Sequence, residues 1–222
     1  VSSPNKFWKN NRDIGNLTRV VGNTGERMVR ALFPWAKSLS KNSPFDLELP
    51  SRYDEDTVLM EVKTAQRRNR WVIRPYQIYG YKNVQDDTRI YIAQIFYQMR
   101  SGRIPSEVPK SMFQREFFPL VMYVFPISFV IYLANTVPAC GNHEDTKFYA
   151  LTEHRARTFY QNADQIEWER QFQSAELSAT VLRKNPNMKV RIVDHIDTPH
   201  ILRWLTQSPP SASSHPQDPL SP

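Results

Sequence analysis

Residues 117–134, FFPLVMYVFPISFVIYLA, run without a single charged side chain. Such a run leaves a chain two places to go, across a bilayer or into a protein core. Pro119 and Pro126 would interrupt a membrane helix, and Val, Ile, Tyr and Phe favour strands, so the expectation is two buried strands around a proline turn. A mean hydropathy of −0.57 agrees with a soluble chain. The N-terminal VSSPNKFWKNNRDIGN lacks the apolar stretch of a secretory signal, so the expected location is intracellular, in the cytoplasm or with the nucleoid, and not in a membrane. The 222 residues suffice for one domain with a real core, expected over residues 1–206. From Gln207 onward QSPPSASSHPQDPLSP offers almost nothing to bury, so residues 207–222 are expected to form a disordered tail.

The remaining elements follow from periodicity. Asn23 or Thr24 stands where a helix cap is expected, ahead of GERMVRALF with Met28, Val29, Leu32 and Phe33 as its buried stripe, and Pro34 marks its end. Glu26 falls on or beside that core face. Phe45, Leu47 and Leu49 alternate with Asp46 and Glu48 as a strand, SRYDED turns the chain, and TVLMEVKT makes a second strand. On it Val58, Met60 and Val62 point one way while Leu59, Glu61 and Lys63 point the other. PYQIYGYKNV reads as a short helix and DDTRIYIAQIFYQM as a strand. Thr152 to Arg183 reads as one long helix, Lys189 to Ile196 as a strand, and Asp197 or Thr198 as the cap of a last helix carrying Ile201, Leu202 and Leu205. The expected class is α/β.

Charge and composition narrow the function. Lys plus Arg number 29 against 22 Asp plus Glu, a net charge of +7, which favours a polyanionic partner. A single cysteine, Cys140, excludes an internal disulfide framework and a four-cysteine zinc site. Only 6 glycines and no GxGxxG or GxxxxGK[ST] string leave no support for a nucleotide cofactor. HExxH and serine nucleophile-elbow strings are absent as well. Cys140, His143, Glu144, Asp145 and His154 are too loosely spaced for a metal cluster and read as a polar loop, and Asp194, His195, Asp197 and His200 as ordinary surface or capping residues.

One set of residues carries coherent chemistry: Glu26 on a helix, Asp46 on a strand, and Glu61-Val62-Lys63 on the next strand. Phosphodiester hydrolysis must offset negative charge growing on the nonbridging and leaving oxygens, and a hard divalent cation held by carboxylates does so. Asp46 and Glu61 are the candidate ligands, Glu26 completes the site directly or through water, and the period of two places Lys63 on the same face as Glu61. Glu48 is the spare ligand if the register differs by two. The string SPFD, 14 residues, then EVK resembles the motif of the PD-(D/E)xK nuclease superfamily, which includes restriction endonucleases and archaeal Holliday-junction resolvases. Here Phe45-Asp46 stands for the usual Pro-Asp, with Pro44 one place early. The resemblance covers roughly residues 20 to 100. It implies a restriction-endonuclease-like mixed central sheet flanked by helices. It also implies Mg²⁺-dependent DNA cleavage, with Mn²⁺ able to substitute, in which the lysine orients or activates the attacking water. Some members carry a Gln on the following helix, which Gln77 would match.

Arg67, Arg68, Arg70, Arg74 and Lys82 follow the proposed metal strand with no acidic residue among them, interleaved with Trp71, Tyr76, Tyr79 and Tyr81. Such a stretch neutralises phosphates and lays aromatic faces on sugars or bases, although the aromatics can equally be core. Lys6, Trp8, Lys9, Arg12 and Arg19 offer a second contact. Cutting both strands of a duplex calls for two active sites, so a homodimer is expected, with residues 117–134 as part of its interface. The competing expectation is a noncatalytic nucleic-acid-binding module using the same basic face.

Overall fold

The computed structural model describes residues 11–40, 42–49, 57–66, 71–73, 75–82, 89–136, 140–143, 146–161, 172–177, 188–195 and 199–206. The expected turn over SRYDED, the caps Asp197 and Thr198, and the tail lie outside the described residues.

A ten-residue strand, β5 (Ile90–Met99), organises the chain. All but one of its side chains are buried, as a strand covered on both faces requires. It pairs in parallel with β3 (Val58–Gln66) on one side and antiparallel with β6 (Phe117–Pro126) on the other. With β1 (Lys37–Ser38), β2 (Leu47–Leu49), β9 (Phe172–Glu176) and β10 (Lys189–His195) they form a mixed seven-stranded sheet ordered β1-β2-β3-β5-β6-β10-β9. A second, three-stranded sheet contains β4 (Trp71–Ile73), β8 (Thr146–Leu151) and β7 (Cys140–His143), in that order.

The sheet separates two helical layers. One face, with Val58, Met60, Val62, Tyr91, Ala93 and Ile95, packs against α1 (Asn11–Leu32) through Val29 and Leu32 and against α6 (Ile201–Thr206) through Ile201 and Trp204. The other, with Ala65, Ile92 and Phe96, packs against Tyr81 of α2 (Pro75–Lys82), Phe129 of α4 (Ile127–Thr136) and Ala156 of α5 (Glu153–Gln161). A short α3 (Phe113–Glu116) precedes β6. The class is therefore α/β with helices on both faces of a mixed sheet, and the opposed orientations read from the sequence of β3 are those observed.

Three expectations are corrected. The first helix starts at Asn11, so Asn23 and Thr24 lie inside it. Leu17, Val20, Val21 and Met28 extend its apolar stripe back onto Tyr97 and Phe117, and Thr24 Oγ1 donates to Val20 O at 2.7 Å, the bond of a mid-helix threonine. The uncharged run forms one strand and then a helix, with Pro126 ending β6 and Ile127 starting α4. Most of the described side chains of this run are buried in the core on the two faces of the sheet. Among the described residues no helix is long and apolar enough to cross a membrane. The long helix expected from Thr152 is short: α5 ends at Gln161, and Phe172–Glu176 is instead an edge strand on β10.

The last helix is held by Asp194, which is fully buried. Its carboxylate accepts from the backbone amides of His200 (3.3 Å) and Leu202 (2.8 Å) at the start of α6, from its neighbour His195 N (2.9 Å), and from Tyr91 Oη at 2.5 Å. Burial and the adjacent carboxylate push the Tyr91 phenol far above its usual range, so it stays a donor. Tyr91→Phe deletes one charge-assisted bond and is expected to cost about 2 kcal/mol. Equilibrium denaturation checks this, and a loss below roughly 0.5 kcal/mol would show that the backbone amides alone hold the carboxylate.

Candidate active site

Asp46 sits one residue before β2, at the point where backbone pairing with β3 stops, and not on the strand itself. Its main chain is fixed on both sides, with Asp46 N donating to Met60 O (3.1 Å) and Leu39 N donating to Asp46 O (2.9 Å). Its side chain then takes over as the next rung: Oδ2 accepts from Val62 N at 2.7 Å. Phe45, buried and stacked on Tyr81 with centroids 6.0 Å apart, anchors the preceding residue. Pro44, with no amide to satisfy, lets the chain leave the sheet there.

This rung brings the Asp46 carboxylate to Glu61. Glu61 is 6% exposed, and its Oε1 is in an ion pair with Lys63 Nζ on the same face of β3. Burial, above all, pushes the Glu61 carboxyl up to about 7. The Lys63 ammonium works against that rise, whereas Asp46 adds to it by its charge and by sharing a side-chain hydrogen bond with Glu61. Two carboxylates held side by side in a mostly dry place repel one another, and a proton or a cation relieves the repulsion.

Glu26 joins from α1. The helix lies against β3 so closely that a Cβ on Gly25 would fall 2.0 Å from Thr64 Oγ1 and 3.4 Å from Val62 Cγ1. Glu26, next in sequence, is half-buried, and its carboxyl is raised by that burial and then by the charge of Asp46, with Arg30 opposing. Asp46 is therefore coupled on one side to Glu61, which Lys63 pairs, and on the other to Glu26.

Among the described residues no group of three or more His, Cys, Asp or Glu side chains is arranged as a metal cage. A Mg²⁺ ion needs less than that, because it keeps several waters and takes one or two protein carboxylates together with substrate phosphate oxygens. The Asp46–Glu61 pair fits such a minimal donor set.

The flanking expectations divide. Arg67, Arg68, Arg70 and Arg74 lie outside the described residues, as do Lys6, Trp8, Lys9, Glu144 and Asp145. Lys82 ends α2, and Gln77 is half-buried on the same helix. Tyr81 is core and Tyr79 is 69% exposed, so the two aromatics take opposite fates. Glu48 is half-buried on β2. Arg19 is exposed on α1 and bonds Asn16.

Sequence reasoning missed Gln94. It is paired in register with Lys63 on the neighbouring strand β5, it is 1% exposed, and its Nε2 has no hydrogen-bond partner among the described residues. The signal was present as the single polar residue inside IYIAQIFY, which a purely apolar central strand would not carry.

Comparison with protein-family models, curated proteins and solved structures finds no match to this chain.

Proposed function

We propose that this chain is a Mg²⁺-dependent DNA endonuclease of PD-(D/E)xK type with a restriction-endonuclease-like core. The observation that carries the reading is the buried Glu61 carboxylate, flanked by the Asp46 carboxylate and the Lys63 ammonium. It is supported by the order of elements around that point. Helix α1 with Gly25-Glu26 is followed by Asp46, the Glu61–Lys63 strand, helix α2 and then β5 parallel to β3.

In this reading Asp46 and Glu61 hold the ion, which when bound supplies Lewis-acid stabilisation of the phosphate and an acidified water. Glu61 must lose its proton to serve, and Lys63 favours that loss. Lys63 also places a positive charge beside the attacked phosphate, where it orients the incoming water and offsets charge on the nonbridging oxygens. Gln94 contributes a neutral donor on the same face. A homodimer, with one site for each strand, remains part of the proposal.

The deciding experiment is a cleavage assay with Mg²⁺ or Mn²⁺ on duplex, junction and flap DNA. Fragments are expected with either metal and none in EDTA, and Lys63→Ala is expected to lower the rate about 100-fold. Addition of Mn²⁺ at pH 8 is expected to raise the melting temperature through preferential binding to the folded state, by about 2.7 kcal/mol of stability at a hundred times Kd. Mobility shifts without fragments, and no thermal response to metal, would favour the second reading of a noncatalytic DNA-binding module. The lack of a three-residue cage among the described side chains is the observation on its side.

A further inference from the structure

Two clefts adjoin at the carboxyl ends of the parallel pair β3 and β5, the region where open α/β sheets place their ligands. The first, of about 580 Å³, runs along β3 from Val62 to Gln66, past Lys63, beneath Leu17 and Val21 of α1 and beside Ile104 and Pro105. The second, of about 750 Å³, continues from Gln66 and Ile104 to Arg103, His154 and Arg157. Gln66 and Ile104 line both, so together they make one groove leading away from Lys63. Pairing between β2 and β3 stops at Met60, which leaves the edge of β3 beside this groove without a partner strand among the described residues.

The chemistry changes along the groove. Near Lys63 it is apolar, and Ile104 is 46% exposed, one of few large apolar side chains left so open among the described residues. At the far end it is cationic. Arg103 and Arg157 are exposed and neither forms a salt bridge with any described residue, Arg157 resting only on His154 Nδ1 at 3.5 Å. Glu153 is the acidic residue in that lining, and Glu116 at the end of α3 feels the Arg103 charge. Arg100, by contrast, is engaged with the carbonyl of Arg115 and the ring of Phe118.

We infer that this groove binds an unpaired DNA strand, with Arg103 and Arg157 holding its phosphates and the Leu17–Val21–Ile104 side receiving base faces next to the scissile bond. A duplex turns phosphates and sugar edges outward and has no base face to offer an apolar wall, whereas a single strand presents both surfaces at once. The inference rests on the nuclease reading for the scissile bond but not for the binding, and it makes the preferred substrate a flap, bubble or single-stranded end.

The test is fluorescence anisotropy of labelled dT20 and of a 20-base-pair duplex with the full chain in EDTA, across a salt titration. The wild type is expected to bind dT20 at least tenfold more tightly than the duplex. R103A/R157A is expected to lose about tenfold for dT20 and to flatten the slope of log K against log salt by about 1.4, as for two phosphate contacts to a single strand. Ile104→Ser is expected to reduce the preference for dT20 without changing the salt slope, and Lys189→Ala, exposed on β10, to change neither. Equal affinity for dT20 and duplex, or an unaltered slope in R103A/R157A, would overturn the inference. Binding is read without metal, so a protein that binds dT20 through these arginines yet never cleaves would refute the nuclease reading alone. A protein that cleaves duplex with its arginines removed would refute the groove alone.

Discussion

Glu61→Gln is expected to make the metal-free protein more stable at pH 8 while lowering metal-dependent cleavage on the order of 1000-fold. The two effects have one origin. In the unfolded chain a glutamate titrates near 4.5, and in the fold burial raises Glu61 to about 7. The folded state therefore holds more protons than the unfolded state between those values, and stability falls as pH rises through that window. Above about 7 the penalty is complete, amounting to at most about 3 kcal/mol, less what Lys63 loses when its partner is neutralised. Glutamine cannot ionise and carries no such penalty. Denaturation in EDTA should thus show the variant gaining on the wild type between pH 5 and pH 8, and a gap that does not widen over that range would refute the strained carboxylate. In the proposed nuclease cleavage is expected to respond oppositely, because an amide is a poor ligand for Mg²⁺ and the several kcal/mol of transition-state stabilisation that the ion would provide are lost. A variant that still cuts at the wild-type rate would remove Glu61 from the chemistry.

The second large effect lies behind the site. Gly25 occupies the middle of a 22-residue helix, where glycine is disfavoured by about 1 kcal/mol against alanine. It is there because nothing larger fits, since a methyl group would lie 2.0 Å from Thr64 Oγ1 and 3.2 Å from Thr64 Cβ. Gly25→Ala is therefore expected to destabilise the fold by about 3 kcal/mol despite its better helix propensity, and to slow cleavage by lifting Glu26 away from Asp46. Adding Thr64→Gly should restore most of both losses, because it removes the atoms in collision. A double-mutant cycle measures this coupling. If Gly25→Ala alone were neutral, the close approach of α1 to β3 would be incorrect.

The candidate site was legible largely because strands carry their geometry in a period of two. Once VLMEVKT is read as a strand, Glu61 and Lys63 must share a face, and they do. The same holds for β5, whose length and β-branched content mark it. What could not be read depended on contacts distant in sequence. Asn23 and Thr24 have the chemistry of a cap but sit inside a helix whose apolar stripe, Leu17, Val20 and Val21, had already begun. The run after Pro126 is apolar throughout and therefore carries no period to distinguish helix from strand. Residues 172–176 become a strand only because β10 offers an edge, an Arg191–Glu176 ion pair at 2.9 Å and a register that no local pattern announces. Asp194 gathers donors from β5 and from the start of α6, two segments far apart along the chain. Asp46 as a substitute rung is visible only when the end of pairing between β2 and β3 is known.

The parallel pairing of β6 with β10 has a consequence for how the chain is made. Residues 121–124 meet residues 189–192, so the most apolar segment of the protein leaves the ribosome with one side unpartnered until more than sixty further residues have been synthesised. At roughly 5–20 residues per second that interval lasts several seconds. The nascent polypeptide spends it exposing a sticky edge, and its yield in a host cell should depend on holdase chaperones and on slow, cool expression more than the stability of the finished domain would suggest.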